Sequence, residues 1–412
     1  MKILHTSDWH LGRALFGRKR YDEQQLFLDW LAQTLYAQQV DVLLVAGDIF
    51  DHSAPSNQAQ GMYFRFLRTV VDQGCRHVVV IAGNHDSASF VDAPREVLAT
   101  LNIHVVGRCS DNPADEVLLL HDHNGTPMLI VCAVPYLRDQ DIRTVSAGET
   151  PDDKACQLQR AVCDHYAAVF ATAETLRCSL SQPVPVVAMG HLFAAGGLTQ
   201  QDDGVRELYV GSLAHIPASI FPSSLDYVAL GHLHVPQPVG GRENVRYSGS
   251  PLAMGFSEAR QQKSVCLLRC AQDAVDVELL PVPVFQRLER ISGDMMQIET
   301  RIRQLRQENT AIWLEVIYSG AELITATEFN HCLDTLAHDT ALQIISRKNM
   351  AVLERTLAAQ TDDETLQQLD PLTVFERCLD AHDIAAAQRE PLRHSYRETL
   401  ALLEAEATAV RD

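Results

Sequence analysis

The sequence predicts an α/β fold: two mixed sheets packed face to face with helices outside, followed by a smaller α/β unit. Three observations carry this prediction. Strand-like apolar runs alternate with amphipathic helical segments through the first hundred residues, the stretch from 117 to 280 is rich in further short apolar runs, and the alternation resets after the prolines at 281 and 283.

Lys2 to Thr6 is a short strand, followed by a turn bearing Asp8 and His10 and a basic loop. Tyr21 to Gln39 places Leu26, Phe27, Trp30, Leu31 and Leu35 at helical spacing, an amphipathic helix for packing on a sheet. Val42 to Ala46 is uninterruptedly apolar, which predicts a strand buried on both faces, and Gly47-Asp48 turns the backbone at its carboxyl end. Gln58 to Gln73 is a second helix with Met62, Phe66, Leu67 and Val70 on one face, and His77 to Ala82 is a strand running into Asn84-His85.

In the middle, Val117 to Leu120, Met128 to Val134 and Val184 to Met189 are strand-like, with a helix from about Lys154 to Cys178. Asp226 to Leu230 runs into Gly231-His232-Leu233-His234, and Val245 to Ser250, Ser264 to Leu268 and Val275 to Leu280 read as antiparallel strands. Residues 1–282 form this core; 283–350 form a small α/β unit with strands Arg287 to Ile291, Ala311 to Tyr318 and Ala341 to Ser346 and helices Met295 to Gln307 and Thr327 to His338. Residues 351–412 begin with a polar, linker-like stretch (Gln360 to Gln368) and end in two helices, Leu372 to Leu379 and Arg389 to Ala407. Their apolar stripes (Val374, Phe375, Cys378, Leu379; Leu392, Tyr396, Leu400, Leu402, Leu403) pack either on the chain itself or on a partner.

At 412 residues and 46% hydrophobic content the chain is long enough for two or three domains. It has no apolar run of eighteen residues, and Met1-Lys2 leads straight into a strand, so a soluble cytoplasmic protein is expected. Ten cysteines without a CxxC pair point to reduced core thiols. A net charge of -19 argues against passive wrapping of nucleic acid, whose phosphates are held by Lys and Arg. The charge is uneven, however: Arg13, Arg18, Lys19 and Arg20 cluster after the first motif, as a solvated loop or as phosphate contacts.

Seven residues stand at the ends of apolar runs: Asp8, His10, Asp48, Asn84, His191, His232 and His234. A sheet brings such ends to one edge. Mixed carboxylate, amide and imidazole donors suit Mn²⁺, Fe²⁺ or Zn²⁺ better than Mg²⁺ or Ca²⁺, which take oxygen almost exclusively. The set is too large for one ion and divides, with one bridging carboxylate, into two sites about 3.5–4 Å apart, the spacing of two-metal phosphoesterases. The other histidines, such as His77, His104, His121, His123 and His165, read as surface or core groups.

In this order, D-x-H, GD, GNHD, GH and GHxH resemble the calcineurin-like metallophosphoesterases, and KILHTSDWHLG, VAGDIFD and GNHDS are similar to the SbcD family of bacterial nucleases. The resemblance covers the whole chain and weakens beyond about residue 270. It implies a four-layered metallophosphoesterase core, a DNA-binding capping domain and C-terminal helices docking a coiled-coil ATPase of the SbcC type. It implies two Mn²⁺ ions per chain: Asp8, His10, Asp48 and His234 hold one, Asp48, Asn84, His191 and His232 the other, with Asp48 bridging. The ions activate water for in-line displacement, and His85 stabilises the transition state or protonates the departing oxygen; Asp86 either orients His85 or makes a plain salt bridge. Some relatives carry a second catalytic histidine just after GD-[hydrophobic]-F, where this chain has Asp51, with His52 one place later, so His52 stays outside the catalytic set. The implied activity is a 3′-to-5′ exonuclease and hairpin endonuclease on double-stranded DNA, for repair, recombination and replication, in a nucleoid-associated heterotetramer containing a homodimer. The alternative is a metallophosphoesterase for small phosphodiesters or phosphoproteins. No G-x-x-x-x-G-K-[ST] loop is present, so ATP dependence would come from the partner.

Overall fold

Val42–Ala46 is buried at every residue because it runs through the middle of a six-stranded sheet that is covered on both faces. The order in that sheet is Val275–Pro281, Ser264–Cys270, Lys2–Thr6, Val42–Ala46, His77–Ile81, Ile103–Val106. The last four strands are parallel; Ser264–Cys270 pairs antiparallel with Lys2–Thr6. This computed structural model describes residues 1–142, 150–194, 216–271, 275–322, 324–350, 372, 374–376, 379, 389–397 and 400, and the chain divides into two compact units, Met1–Phe285 and Gln286–Asp412.

A second six-stranded sheet in the first unit has the order Gln237–Val239, Arg242–Tyr247, Tyr227–Gly231, Val186–His191, Pro127–Ala133, Val117–His121. The sheets face each other through Ile3, Val42, Leu44, Val79, Ile81, Leu129, Val131, Val187, Met189 and Ala229. Each fully buried Val, Leu, Ile or Met among them contributes about 1.5–3 kcal/mol of hydrophobic stabilisation. The outer face of the first sheet is covered by helices Tyr21–Gln38 and Asn57–Asp72, that of the second by Pro151–Ser179, which buries Val162, Tyr166, Val169 and Phe170. The result is four layers.

Local chemistry sets the helix ends. Ser56 and Thr150 cap the second and third of these helices, Thr150 in a reciprocal capping box with Asp153. Gln39 closes the first in the left-handed region (φ 54°). That helix buries Phe27, Leu28, Leu31 and Leu35; Leu26, expected on the packed face, is half exposed.

Several elements differ from the sequence reading. Arg242–Tyr247 was expected to be antiparallel but runs parallel to Tyr227–Gly231, because Gln237–Val239 inserts ahead of it and turns back through Gly240-Gly241, both at positive φ (59° and 72°). The basic loop contains a tight hairpin, Ala14–Leu15 against Arg18–Lys19. Helices Ala88–Asp92 and Arg95–Ala99 and the edge strand Ile103–Val106 went unread, being too short for a clear period.

In the second unit, three parallel strands, Arg287–Gly293, Ile312–Tyr318 and Leu342–Asn349, carry helices Met295–Glu308 and Ala326–Ala337, each opened by a capping box. Ile298, Ile302, Leu305, Leu314, Val316, Phe329 and Leu333 form its core. Farther along, the rings of Phe375 and Tyr396 stack with centroids 4.0 Å apart, so part of each apolar stripe packs against the other, while Val374 and Leu392 stay over a third exposed. The linker-like stretch from Gln360 to Gln368 and the stripe positions Cys378, Leu402 and Leu403 lie outside the described residues. Among the described residues no helix is long and apolar enough to cross a membrane.

Candidate metal centre

The carboxyl edges of the two sheets meet because glycines leave room for them. A Cβ on Gly231 would collide with the Ala46 carbonyl oxygen, and one on Gly83 with the Asp48 carboxylate. The turns leaving the strands are held in register: the Asp8 amide donates to Gly47 O (3.0 Å), the His10 amide to Asp48 O (3.0 Å). Asp8, His10, Asp48 and His232 all adopt positive φ (53°, 45°, 50° and 106°). Non-glycine residues enter this region at a cost of about 1–3 kcal/mol each and do so mostly at functional sites.

The structure brings Asp8, His10, Asp48, Asn84, His191, His232 and His234 into one cluster, with all but Asn84 buried. Donor atoms of Asp8, His10 and His234 lie within 4.8 Å of one another, as do those of Asp8, Asp48 and His191. Asp48 Oδ2 sits between two imidazoles, 3.6 Å from His10 Nε2 and 3.4 Å from His191 Nε2. Asn84 Oδ1 faces His191 Nε2 at 2.9 Å and His232 Nδ1 at 3.0 Å. His10 Nε2 and His234 Nε2 are 3.2 Å apart.

These contacts test whether the residues fit divalent ions. His191 Nδ1 faces the Ala46 carbonyl at 2.9 Å, which fixes the hydrogen there and leaves the Nε2 lone pair of the neutral ring facing two acceptor oxygens. Such an arrangement is repulsive unless a cation is shared. The chain's own cation would be a proton: burial works against it, but Asp48 beside the ring raises His191 to about 9. Burial would also raise Asp48, yet His191, His10 and His85 hold it well below the usual carboxylate range. Burial drives Asp8 upward against the pull of His191. His232 is lowered to about 3, by burial first and by His191 second. Convergent lone pairs of imidazoles, carboxylates and an amide oxygen fit divalent metal ions.

The donors are in turn hydrogen-bonded by neighbouring groups. Ser7 Oγ donates to Asp8 Oδ2 (2.5 Å) and meets Ser248 Oγ at 2.8 Å; the His232 amide donates to Asp8 Oδ1 (3.0 Å). The Asp86 carboxylate accepts from the amides of Ile49, Phe50 and Gly83 (3.1, 2.9 and 2.8 Å), so it ties the Asp48 turn to the Asn84 turn; among the described residues it makes neither a hydrogen bond to His85 nor a salt bridge. His85 reaches Asp51 O through Nδ1 and donates its amide to Asp48 Oδ1.

Asp51, named from the sequence only as standing where some relatives carry a second catalytic histidine, was given no role there. Its Oδ1 lies 3.4 Å from His10 Nδ1 and 3.2 Å from the Arg13 guanidinium, and although burial opposes it, His10 and Arg13 lower its carboxyl to about 2. Its place directly after Gly47-Asp48-Ile49-Phe50 was the available signal. His52 is largely exposed, with Nε2 3.2 Å from Asp51 Oδ2. Glu258 and Lys263, behind His234, were also missed.

Of the four basic residues, Arg18 and Lys19 are exposed on the hairpin and Arg13 is tied to Asp51. Arg20 departs from the expected phosphate-contact set. It is buried, grips Glu23 with two nitrogens (2.7 and 2.9 Å) and donates to Ala253 O, which leaves its guanidinium committed to the core.

A model described as calcineurin-like phosphoesterase matches residues 1–236, and one described as type 5 capsule protein repressor C-terminal domain matches residues 284–383. The chain is similar to the SbcD component of the SbcCD nuclease of Escherichia coli K12, with 37% identity across 99% of this chain and 100% of that one. It is similar to the SbcD component of the Bacillus subtilis SbcCD nuclease, with 36% identity across 65% and 66%. Among solved structures, a dimetal phosphatase from Danio rerio aligns over 69% of this chain and 97% of that one at 11% identity, with a TM-score of 0.41. The matched core, the full-length similarity and the donor cluster together make this chain a member of the calcineurin-like phosphoesterase family, within the SbcD group, with the metal-dependent phosphodiesterase site of that family.

Proposed function

We infer that the chain is an Mn²⁺-dependent DNA nuclease, trimming double-stranded ends 3′ to 5′ and opening hairpins. The observation that carries the reading is Asp48 Oδ2 set between His10 and His191 in a buried donor cluster, in a chain alignable end to end with a nuclease component. Asp8, His10, Asp48 and His234 would hold one ion and Asp48, Asn84, His191 and His232 the other, with Asp48 shared. Bound there, two divalent ions supply Lewis acidity that activates water and offsets charge on the phosphate. His85, fixed through Nδ1 to Asp51 O, offers Nε2 to protonate the departing sugar oxygen.

Arg18 and Lys19 on the hairpin contact the DNA backbone, with Arg13 nearer the metal cluster through Asp51. Residues 283–350 act as a DNA-binding capping domain, and the C-terminal segment docks a coiled-coil ATPase of the SbcC type in a heterotetramer built on a homodimer. The half-exposed Val374 and Leu392 beside the Phe375–Tyr396 stack support that docking. Work at DNA ends puts the protein at the nucleoid, in repair, recombination and replication.

The test is digestion of duplex DNA labelled at either the 3′ or the 5′ end, in Mn²⁺, with and without the ATPase and ATP. Loss of the 3′ label first, faster with partner and ATP, supports the reading. Intact DNA under all conditions, beside turnover of a small chromogenic diester, would reassign the site to small substrates.

A further inference from the structure

His234 enters the metal cluster from a segment that follows its strand, and two residues from a different part of the chain, Lys263 and Glu258, lie behind it. Lys263 is 6% exposed, and the three hydrogens of its ammonium are shared among four acceptors, Glu258 Oε2 (2.6 Å), the His234 carbonyl oxygen (3.0 Å), Ser250 Oγ (3.1 Å) and Gln261 Oε1 (3.2 Å). Glu258 is fully buried at the 3₁₀ turn Phe256–Glu258. Its Oε2 also accepts the Met254 amide (2.9 Å), which leaves Oε1 on the side of His234, 3.8 Å from Nδ1.

We propose that Lys263 and Glu258 are positioning residues for the metal ligand His234. Lys263 anchors its main chain, and Glu258 faces its Nδ1 so that Nε2 is presented to the ion. This inference rests on the reading of the cluster as a two-metal centre.

The chemistry supports a role beyond stability. A ligating imidazole has to expose one nitrogen lone pair, and a carboxylate facing the other nitrogen selects the tautomer that does so and makes the ring a better donor. A buried ion pair is by itself weak evidence for stabilisation, since two apolar residues of the same volume often do as well. Here the pair is aimed: one oxygen of Glu258 satisfies Lys263 while the other faces a ligand ring, and Lys263 lies next to the strand Ser264–Cys270, which pairs with Lys2–Thr6 ahead of Asp8. The pair therefore ties His234 to the part of the first sheet that carries Asp8 and His10.

The test compares the full chain with Glu258→Gln and with the double variant Glu258→Gln/Lys263→Met, which leaves no unpaired charge in the core. Mn²⁺ binding is measured by calorimetry and Mn²⁺ EPR, and folding by thermal melts of the metal-free proteins. The expected result is a metal-free melt of the double variant close to that of the unmodified chain, with the single variant lower because Lys263 is left charged and unpaired. One ion should then bind about 10–100-fold more weakly, and the spectrum of a coupled ion pair should give way to that of a single ion. Unchanged affinity for both ions, or weakening of both ions together with loss of the metal-free fold in both variants, overturns the proposal. An unmodified chain that binds no Mn²⁺ would instead overturn the two-metal reading on which it rests.

Discussion

The His85 imidazole is fastened through Nδ1 to the main-chain carbonyl oxygen of Asp51, 2.9 Å away, while its amide donates to Asp48 Oδ1. A carbonyl oxygen can only accept, so Nδ1 carries the hydrogen there, and in the proposed reaction Nε2 is the nitrogen that would exchange a proton with substrate. The ring also stands edge-on to His10, with centroids 4.8 Å apart. His85→Gln is expected to lower turnover by about 10²–10⁴-fold while leaving Mn²⁺ binding intact. Calorimetry showing that the variant has lost its ions would contradict this division of roles.

Asp86 joins two motif turns through three amide hydrogen bonds. Asp86→Ala strands three buried donors, at about 1–3 kcal/mol each. Urea denaturation is expected to show a loss of about 3 kcal/mol or more and turnover is expected to fall with it, because Asn84 and His85 sit on one of those turns. A loss below about 0.5 kcal/mol, the range of ordinary surface changes, would mean that the turns hold without the carboxylate.

The basic cluster divides by burial. Replacing Arg18 and Lys19 with Ala should weaken DNA binding regardless of sequence and reduce the salt dependence by a slope of about 0.9 per lost phosphate contact. Arg20→Ala should act on the fold instead, because it leaves Glu23 charged and unpaired inside the protein, at about 3–5 kcal/mol. Salt titrations of DNA affinity beside thermal melts separate the two effects, and equal DNA-binding losses in folded proteins would refute the division.

His5 lies between the sheets with Nδ1 3.0 Å from Tyr227 Oη, and burial lowers it to about 3. The sign follows from proton counting. Between about pH 3 and 6.5 the unfolded chain binds a proton at this position that the folded chain does not, so stability falls as pH drops through that window, by up to about 1.4 kcal/mol per pH unit. His5→Gln should flatten this limb in denaturant titrations of the metal-free protein between pH 6.5 and 4.5, roughly the upper part of that window. An unchanged slope would show that His5 charges without penalty.

Much of the first unit was legible because its strands are short apolar runs with chemistry-bearing residues at their ends, so that periodicity and position agreed. Asp8, Asp48, Asn84 and His191 could be picked out for that reason. What could not be read depends on neighbours far away in the chain. Arg20 looks basic and loop-like, yet its burial is decided by Glu23 and by Ala253, 233 positions on. Glu258 and Lys263 stand in a polar stretch resembling surface, and only the fold brings them behind His234. The parallel run of Arg242–Tyr247 required the Gln237–Val239 hairpin arm, which at three residues is too short to show a period.

The most direct test of the central claim, that Asp48 organises a metal centre that hydrolyses DNA, is cleavage of an end-labelled DNA hairpin by the purified chain in Mn²⁺, with Asp48→Asn as the comparison. The account predicts Mn²⁺-dependent cutting by the unmodified chain, abolished by chelation and by Asp48→Asn, with weakened Mn²⁺ binding in that variant. Cutting that persists in a folded Asp48→Asn protein would contradict it.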